Sequence, residues 1–434
     1  MIQFDKFTLQ NGLRVLVHED KSTPMAVVNV LYDVGARDEH PEKTGFAHFF
    51  EHLMFGGSKN IPVYDEPLQV AGGENNAYTT NDLTNYYCQL PAENIETAFW
   101  LESDRMLSLA FGKKSLEVQR KVVSEEFKEH YINKPYGDVW HKLRELVYTT
   151  HPYKWMTIGA SLKHIENVKL QDVKDFFFKH YTPSNAVLVV AGNIETAQVK
   201  TLAEKWFGNI PAGIKYDRDL PTEPRQAAPR FLEVTSNVPL DALYKAWHIY
   251  PRTDPRYYIA DLITDILSGG ASSRLFQSLV KEKKLFSSID CYHLGSTDAG
   301  IITIDGKLVK GVDIKEADAA VMEELKKLQQ DGITAFELEK VKNKTESAMA
   351  FEDMSVMNRA QSIAMYELLG DANLINSELS KYQAVTAAEI LKESRIIFNE
   401  NNCSTMYYLS DNSNSDHQLT EGETEASIEE EESN

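Results

Sequence analysis

Residues 45–57 read GFAHFFEHLMFGG. Phe46, Ala47, Phe49, Phe50, Leu53, Met54 and Phe55 make this a buried-looking helix, and the Gly56-Gly57 pair is a natural place for it to stop. Yet His48, Glu51 and His52 stand in its middle. Residues three and four apart share a helix face, so the two imidazoles project together with the carboxylate beside them. Burying unpaired ionisable groups is costly, and three on one apolar helix need a shared partner. Two imidazoles at i and i+4 suit one Zn²⁺, each at roughly 2.0–2.1 Å. Glu51 is then placed to take a proton from water. H-x-x-E-H is a zinc-hydrolase signature, the reverse of H-E-x-x-H. Core histidines satisfied by backbone carbonyls are the bland alternative.

A catalytic zinc needs three protein ligands and an open position. The helix predicted in SLEVQRKVVSEEFKEHY, residues 115–131, offers Glu117, Glu125, Glu126, Glu129 and His130. An apolar stripe of Leu116, Val122, Val123 and Phe127 places Glu126 on the buried face and turns Glu125 and Glu129 toward solvent. Glu126 is the favoured third ligand, with His130, one turn on, as its rival.

Working outward, the pattern predicts strands over 6–18, folded as a hairpin about Gln10-Asn11-Gly12, and over 25–33, then a helix over 44–55. A strand near 76–90, helices near 92–110 and 115–133, and a strand over 185–192 follow. Residues 210–230 are rich in Pro and charge and lack periodicity, which marks a linker. Beyond it the pattern starts again: LYKAWHIYP leads into YYIADLITDILSGG. Setting Gly269-Gly270 level with Gly56-Gly57 gives an offset of 213 residues, which aligns Asp261, Thr264 and Asp265 with His48, Glu51 and His52. An internal duplication with asymmetric chemistry is expected: a zinc-bearing half at 1–212, a linker at 213–230, a second half at 231–410 and an acidic, disordered tail at 411–434.

The net charge of -20 is concentrated in that tail, whose nine acids and lack of Lys or Arg leave only -11 for the rest. This balance argues against nucleic-acid binding, which wants a basic face. No apolar run reaches the roughly 20 residues that span a bilayer. Without a basic-then-apolar leader the chain reads as cytoplasmic. Cys88, Cys291 and Cys403 are odd in number and far apart, which suggests neither a disulfide framework nor a thiolate metal site.

Together, HFFEH, the Glu pair about 73 residues later in RKVVSEEF, GGENNAYTTNDLTNYY and SSRLF resemble the pitrilysin/insulinase family of zinc peptidases, over most of residues 1–410. The resemblance implies an α+β fold of two homologous α/β-roll halves, each a sheet packed with helices. It implies one Zn²⁺ per chain on His48, His52 and Glu126, with Glu51 as general base. It also implies that Asn76, Ala77, Tyr78 and Thr79 form an edge strand onto which peptide substrate adds, a mode that needs little sequence specificity.

The chain departs from the family pattern at three places. Val280 and Ser287 stand where active members often carry an Arg and, seven residues later, a Tyr that steady the substrate carbonyl. Gln119, beside the metal ligands in the resemblance, replaces a frequent acid. The expectation is therefore a metalloendopeptidase subunit whose homologous partner supplies the Arg and Tyr in a heterodimer, or else a homodimer. A catalytically silent zinc-binding structural subunit is the alternative.

Overall fold

The computed structural model describes residues 1–110 and 112–411; the acidic tail lies outside the described residues but for Asp411. The first half runs β1 (Asp5–Thr8), β2 (Arg14–Glu19), β3 (Met25–Tyr32), α1 (Phe46–Phe55), α2 (Asp65–Val70), β4 (Glu74–Thr79) and β5 (Thr84–Pro91). It continues through α3 (Ile95–Leu107), α4 (Lys113–Phe127), α5 (Val139–Val147), α6 (Leu162–Glu166), α7 (Leu170–His180), β6 (Ala186–Gly192) and α8 (Thr196–Phe207). The second half comprises β7 (Arg230–Ser236), β8 (Ala242–His248), α9 (Tyr257–Ser268), β9 (Phe286–Leu294) and β10 (Ile301–Leu308). It ends with α10 (Ile314–Asp331), α11 (Ala335–Glu352), α12 (Val356–Leu368), α13 (Glu378–Ala384), α14 (Ala387–Ile397) and β11 (Cys403–Ser410).

The sheets repeat one another. The first has the order β1-β2-β6-β3-β5-β4 and the second β7-β11-β8-β10-β9. In each, the first and last long strands of the half pair in parallel, β2 with β6 and β7 with β11, and the remaining ladders are antiparallel. Both glycine pairs end a helix with the second residue at positive φ, +90° at Gly57 and +88° at Gly270, a region open to glycine. The chain is thus an α+β molecule of two repeated halves.

Packing does not respect the division by chain segment. Strand residues alternate between faces. Val15, Val17, Val28, Val30, Leu188 and Val190 face the large core that contains α1. Leu16, Val27, Leu31, Val187 and Val189 face the other way, onto Ala360, Ile363 and Ala364 of α12 from the second half. In return α5 lays Val139, Leu143 and Val147 on Ala242, Ala246 and Met406 of the second sheet. Each half lends one helix to the other's sheet. The wholly buried run AVLVVAG of β6 follows from this, since a sheet covered on both faces has no polar side.

One sequence expectation is corrected here. The span near 76–90 is two strands, because Thr80 turns the chain by accepting from the Asp82 and Leu83 amides at 3.1 Å each. Residues 213–229 lack regular structure but are not loose. Arg218 donates to Asp33 at 2.9 Å and Asp38 at 2.7 Å, and Glu223 accepts the amides of Thr149, Thr150 and His151 at 2.8–3.0 Å.

Candidate metal centre

The helix that carries the histidines starts at Gly45, whose φ of +88° and closeness to the Ile158 carbonyl leave no room for a side chain. No side chain of the helix caps it. Instead Glu39, buried outside the helix, accepts the amides of Gly45 and Ala47 at 2.8 Å each. Its carboxyl oxygens lie at the positive end of the helix dipole. Phe49, Phe50 and Met54 are fully buried below, with Phe50 stacked on Tyr181 at 5.2 Å. These contacts hold the opposite face of α1, with His48, Glu51 and His52, in one position.

That face meets α4. His52 Nε2 lies 3.2 Å from Glu126 Oε2 and His48 Nε2 lies 3.5 Å from Glu126 Oε1. The three potential ligand atoms all lie within 4.8 Å of one another. The imidazoles stand edge to face, 4.8 Å between centroids. His130 is exposed in the π-helical turn Lys128–Ile132 and stands outside this cluster. Gln119 is half-buried on α4, with its amide 4.0 Å from where a Cβ on Gly56 would sit, and makes no hydrogen bond among the described residues. The stripe argument erred at one position: Val122 is 45% exposed, and the buried row of α4 is Leu116, Val123, Ser124 and Phe127.

The donors suit zinc. Burial pulls the His48 imidazole down to about 4, leaving it neutral with a free lone pair. Burial pushes Glu126 up, but the neighbouring histidines outweigh it and keep the carboxylate ionised. Two imidazoles and one carboxylate converging from one side form a His₂Glu set. His52 and Glu126 are about a quarter to a third exposed, which leaves the outer side of the cluster open.

Glu51 is tied to the edge strand. Thr79, the last residue of β4, donates its hydroxyl to Glu51 at 2.6 Å. Burial raises the Glu51 pKa, an effect that the Thr79 bond and His52 offset in part. β4 is bonded only to β5, so its outer side is an open edge. Ala77 shows this directly: its amide donates to the Asn76 side chain at 2.8 Å and not to β5. Tyr78 alternates to the opposite face and packs toward α12. The Glu39 cap and the Thr79–Glu51 bond escaped the sequence reading. Neither had a local signal, since the predicted helix start at Thr44 already offered a cap of its own.

The matching place in the second half is closed by polar side-chain contacts. Asp261 bonds His293 Nδ1 at 3.2 Å and Tyr382, and Asp265 pairs with Lys344 of α11 at 2.7 Å. Thr264 bonds back to the Asp261 carbonyl. Val280 packs against the second core in the π-helical turn Phe276–Glu282, and Ser287 on β9 donates to the Lys307 carbonyl.

Residues 14–157 match the family described as Insulinase (Peptidase family M16), and residues 167–345 match Peptidase M16 inactive domain. The chain is 30% identical over 390 residues to the zinc protease PqqE of Helicobacter pylori, covering 84% of this chain and 86% of that protein. It belongs to the M16 peptidase family. A Bacillus subtilis M16 relative, the uncharacterized zinc protease YmxG, is 27% identical over 91% of this chain and 96% of its own. The crystal structure of a protease from Helicobacter pylori superposes with a TM-score of 0.88 at 26% identity, over 94% of this chain and all of that one. Pitrilysin shares the M16 fold, with a TM-score of 0.74 at 19% identity, but this chain covers only 45% of it. The cluster His48, Glu51, His52 and Glu126 lies within the insulinase match and outside the inactive-domain match. No helix of the described residues is long and apolar enough to cross a membrane.

Proposed function

We propose that this chain is a zinc metalloendopeptidase that cleaves oligopeptides or unfolded segments. The observation that carries the reading is the convergence of His48, His52 and Glu126 beside a carboxylate, Glu51, that is itself bonded to an open edge strand. Zinc held by those three residues would supply a Lewis acid for the scissile carbonyl and lower the pKa of water. Glu51 takes the proton from the attacking water and returns it to the leaving amine. Its raised pKa suits both transfers, and the Thr79 hydroxyl fixes its orientation. Asn76, Ala77, Tyr78 and Thr79 hold the substrate as an added strand through main-chain hydrogen bonds. In this reading Gln119, on the same helix as Glu126, supports the ligands. The chemistry belongs to the first half, residues 1–212, and the second, residues 231–410, completes the chamber.

The reading extends to a dimer. Val280 and Ser287 offer no cationic or phenolic group to the developing oxyanion. Pitrilysin is about twice the length of this chain, which suits a second homologous subunit in its place. A heterodimeric partner carrying the Arg and Tyr is favoured over a second copy. Free, buried Cys88, Cys291 and Cys403 suit a cytoplasmic location. The inactive-domain match favours one rival, a silent zinc-binding subunit.

The deciding experiment measures zinc content and cleavage of a quenched peptide by the purified chain, alone and with a homologous partner, with Glu51→Gln as control. One zinc per chain and Glu51-dependent cleavage are expected. Zinc without cleavage in any pairing selects the silent subunit, and a chain that binds no zinc overturns both readings. Full turnover by the lone chain, unchanged by any partner, overturns the division of labour.

A further inference from the structure

A cavity of about 540 Å³ opens between the two halves; His293 lines it, and His48, Glu51, His52 and Glu126 do not. Its walls are the turn Thr80–Leu83, Arg144 of α5, Arg252, the loop Leu294–Thr297, and Leu368 and Leu369 at the end of α12. The turn continues directly from Thr79, the residue that holds Glu51. A peptide lying along β4 therefore passes the mouth of this cavity at one end.

Arg144 is the unusual group in that wall. Its one hydrogen bond goes from Nη1 to the Tyr153 carbonyl at 3.2 Å, and its Nε is buried without a partner. No carboxylate lies within ion-pair distance of it among the described residues. Burial works against its charge, and the groups near it are the phenols of Tyr148, Tyr153 and Tyr131. The nearby carboxylate of Asp82 is already engaged by Arg37 at 3.0 Å, by the Thr297 amide at 3.0 Å and by Tyr153. Two other arginines nearby are paired: Arg37 with Asp82 and Asp298, and Arg252 with Glu378 while it lies over Tyr257. Arg144 is half-buried with its Nε out of solvent; its guanidinium stays protonated, and leaving it there without a counter-charge is costly.

We propose that this cavity is a carboxylate-binding subsite for the peptide, with Arg144 as the group that pairs with the anion. The proposal rests on the reading of β4 as the peptide-binding edge. A peptide can bring two kinds of carboxylate there, its C-terminal group or an Asp or Glu side chain. The guanidinium presents a planar fork of donors that matches either. Leu83, Leu294, Leu368 and Leu369 give the rest of the cavity an apolar lining for the carbon skeleton.

The test is equilibrium binding of fluorescent extended peptides to the full zinc-loaded chain carrying Glu51→Gln, which cannot cut them. One pair of peptides ends in a free acid or an amide; a second pair, both amidated, carries an internal Glu or Gln. The acid member of one pair is expected to bind roughly tenfold tighter or more, as a charge-assisted contact gives. Which pair shows the preference identifies the source of the carboxylate. Arg144→Gln should abolish the preference while leaving the amidated neutral peptide bound as before. Leu369→Trp fills the cavity without touching the guanidinium and should abolish it too, which keeps the test decisive if Arg144→Gln fails to fold. Equal binding within both pairs, or a preference that survives both variants, overturns the subsite and leaves the peptidase reading standing. A carboxylate preference in a chain whose wild type never cleaves peptide overturns the peptidase reading and keeps the subsite. Peptides that do not bind at all overturn both.

Discussion

Glu51 and Glu126 lie in one cluster, yet their surroundings push them in opposite directions. Burial raises Glu51, whereas the imidazoles hold Glu126 ionised. A group set to trade protons thus stands beside a group set to stay charged. Glu51→Gln is expected to keep one zinc by elemental analysis while kcat falls roughly 10²- to 10⁴-fold, the usual share of a general base. Glu126→Ala is expected to lose the metal, and zinc retained at full stoichiometry would move the third ligand elsewhere. Glu39 acts at one remove, by fixing the start of α1. Glu39→Gln should weaken zinc binding by roughly 10- to 100-fold in a chelator competition, the usual cost of a lost supporting contact. Zinc affinity equal to wild type would make Glu39 a stability residue only. The histidine pair was legible because helical spacing is local. Val122 was misread because α4 buries a narrow row, Leu116, Val123 and Phe127, at steps of seven and four, and Val122 lies off it.

At the scale of elements, β4 and the strap over 213–229 carry the argument. The Ala77 amide faces the open edge, where the Asn76 side chain accepts its hydrogen bond. Ala77→Pro removes that donor without breaking the ladder to β5. The expected result is an unchanged melting temperature and a roughly two- to tenfold lower kcat/KM on an oligopeptide, the worth of one net hydrogen bond. An unchanged kcat/KM would remove this edge from substrate binding. In the strap, burial pushes Glu223 up, but the amides of His151, Thr149 and Thr150 outweigh it and hold the carboxyl at about 2, against an ordinary 4.5. A depressed folded pKa gives stability that is full above the ordinary value and is lost as pH falls toward the folded one. Thermal melts from pH 6 down to about 2 should therefore decline less steeply for Glu223→Gln than for wild type, from a lower starting point. Parallel curves would remove Glu223 from the pH dependence. The strap's docking had no sequence signal, since its partners, the amides of Thr149, Thr150 and His151 and the carboxylates of Asp33 and Asp38, lie far away in the sequence. The turn inside 76–90 was missed for a related reason: it is made by the Thr80 hydroxyl, with no Gly or Pro to mark it.

The two halves depend on each other because each lends a helix. Without α12, Leu16, Val27, Leu31, Val187 and Val189 of the first sheet lose their cover. At about 1.5–3 kcal/mol per buried aliphatic side chain, five of them match the roughly 5–15 kcal/mol that holds a typical domain together. Residues 1–212 expressed alone are expected to be insoluble or to bind an apolar dye, and the whole chain to melt in one calorimetric transition. Two separate transitions would show that the halves stand alone. The sequence by itself determined the histidine helix, its glycine stops and the repeat, because helical and strand periods act over a few residues and survive without a partner. Only the tertiary structure decided that Glu126 and not His130 meets the histidines, that Thr79 holds Glu51, and that Arg144 ends beside a cavity without a counter-charge. Those contacts join segments dozens of residues apart, and they depend on how helices and sheets pack, for which no local spacing exists.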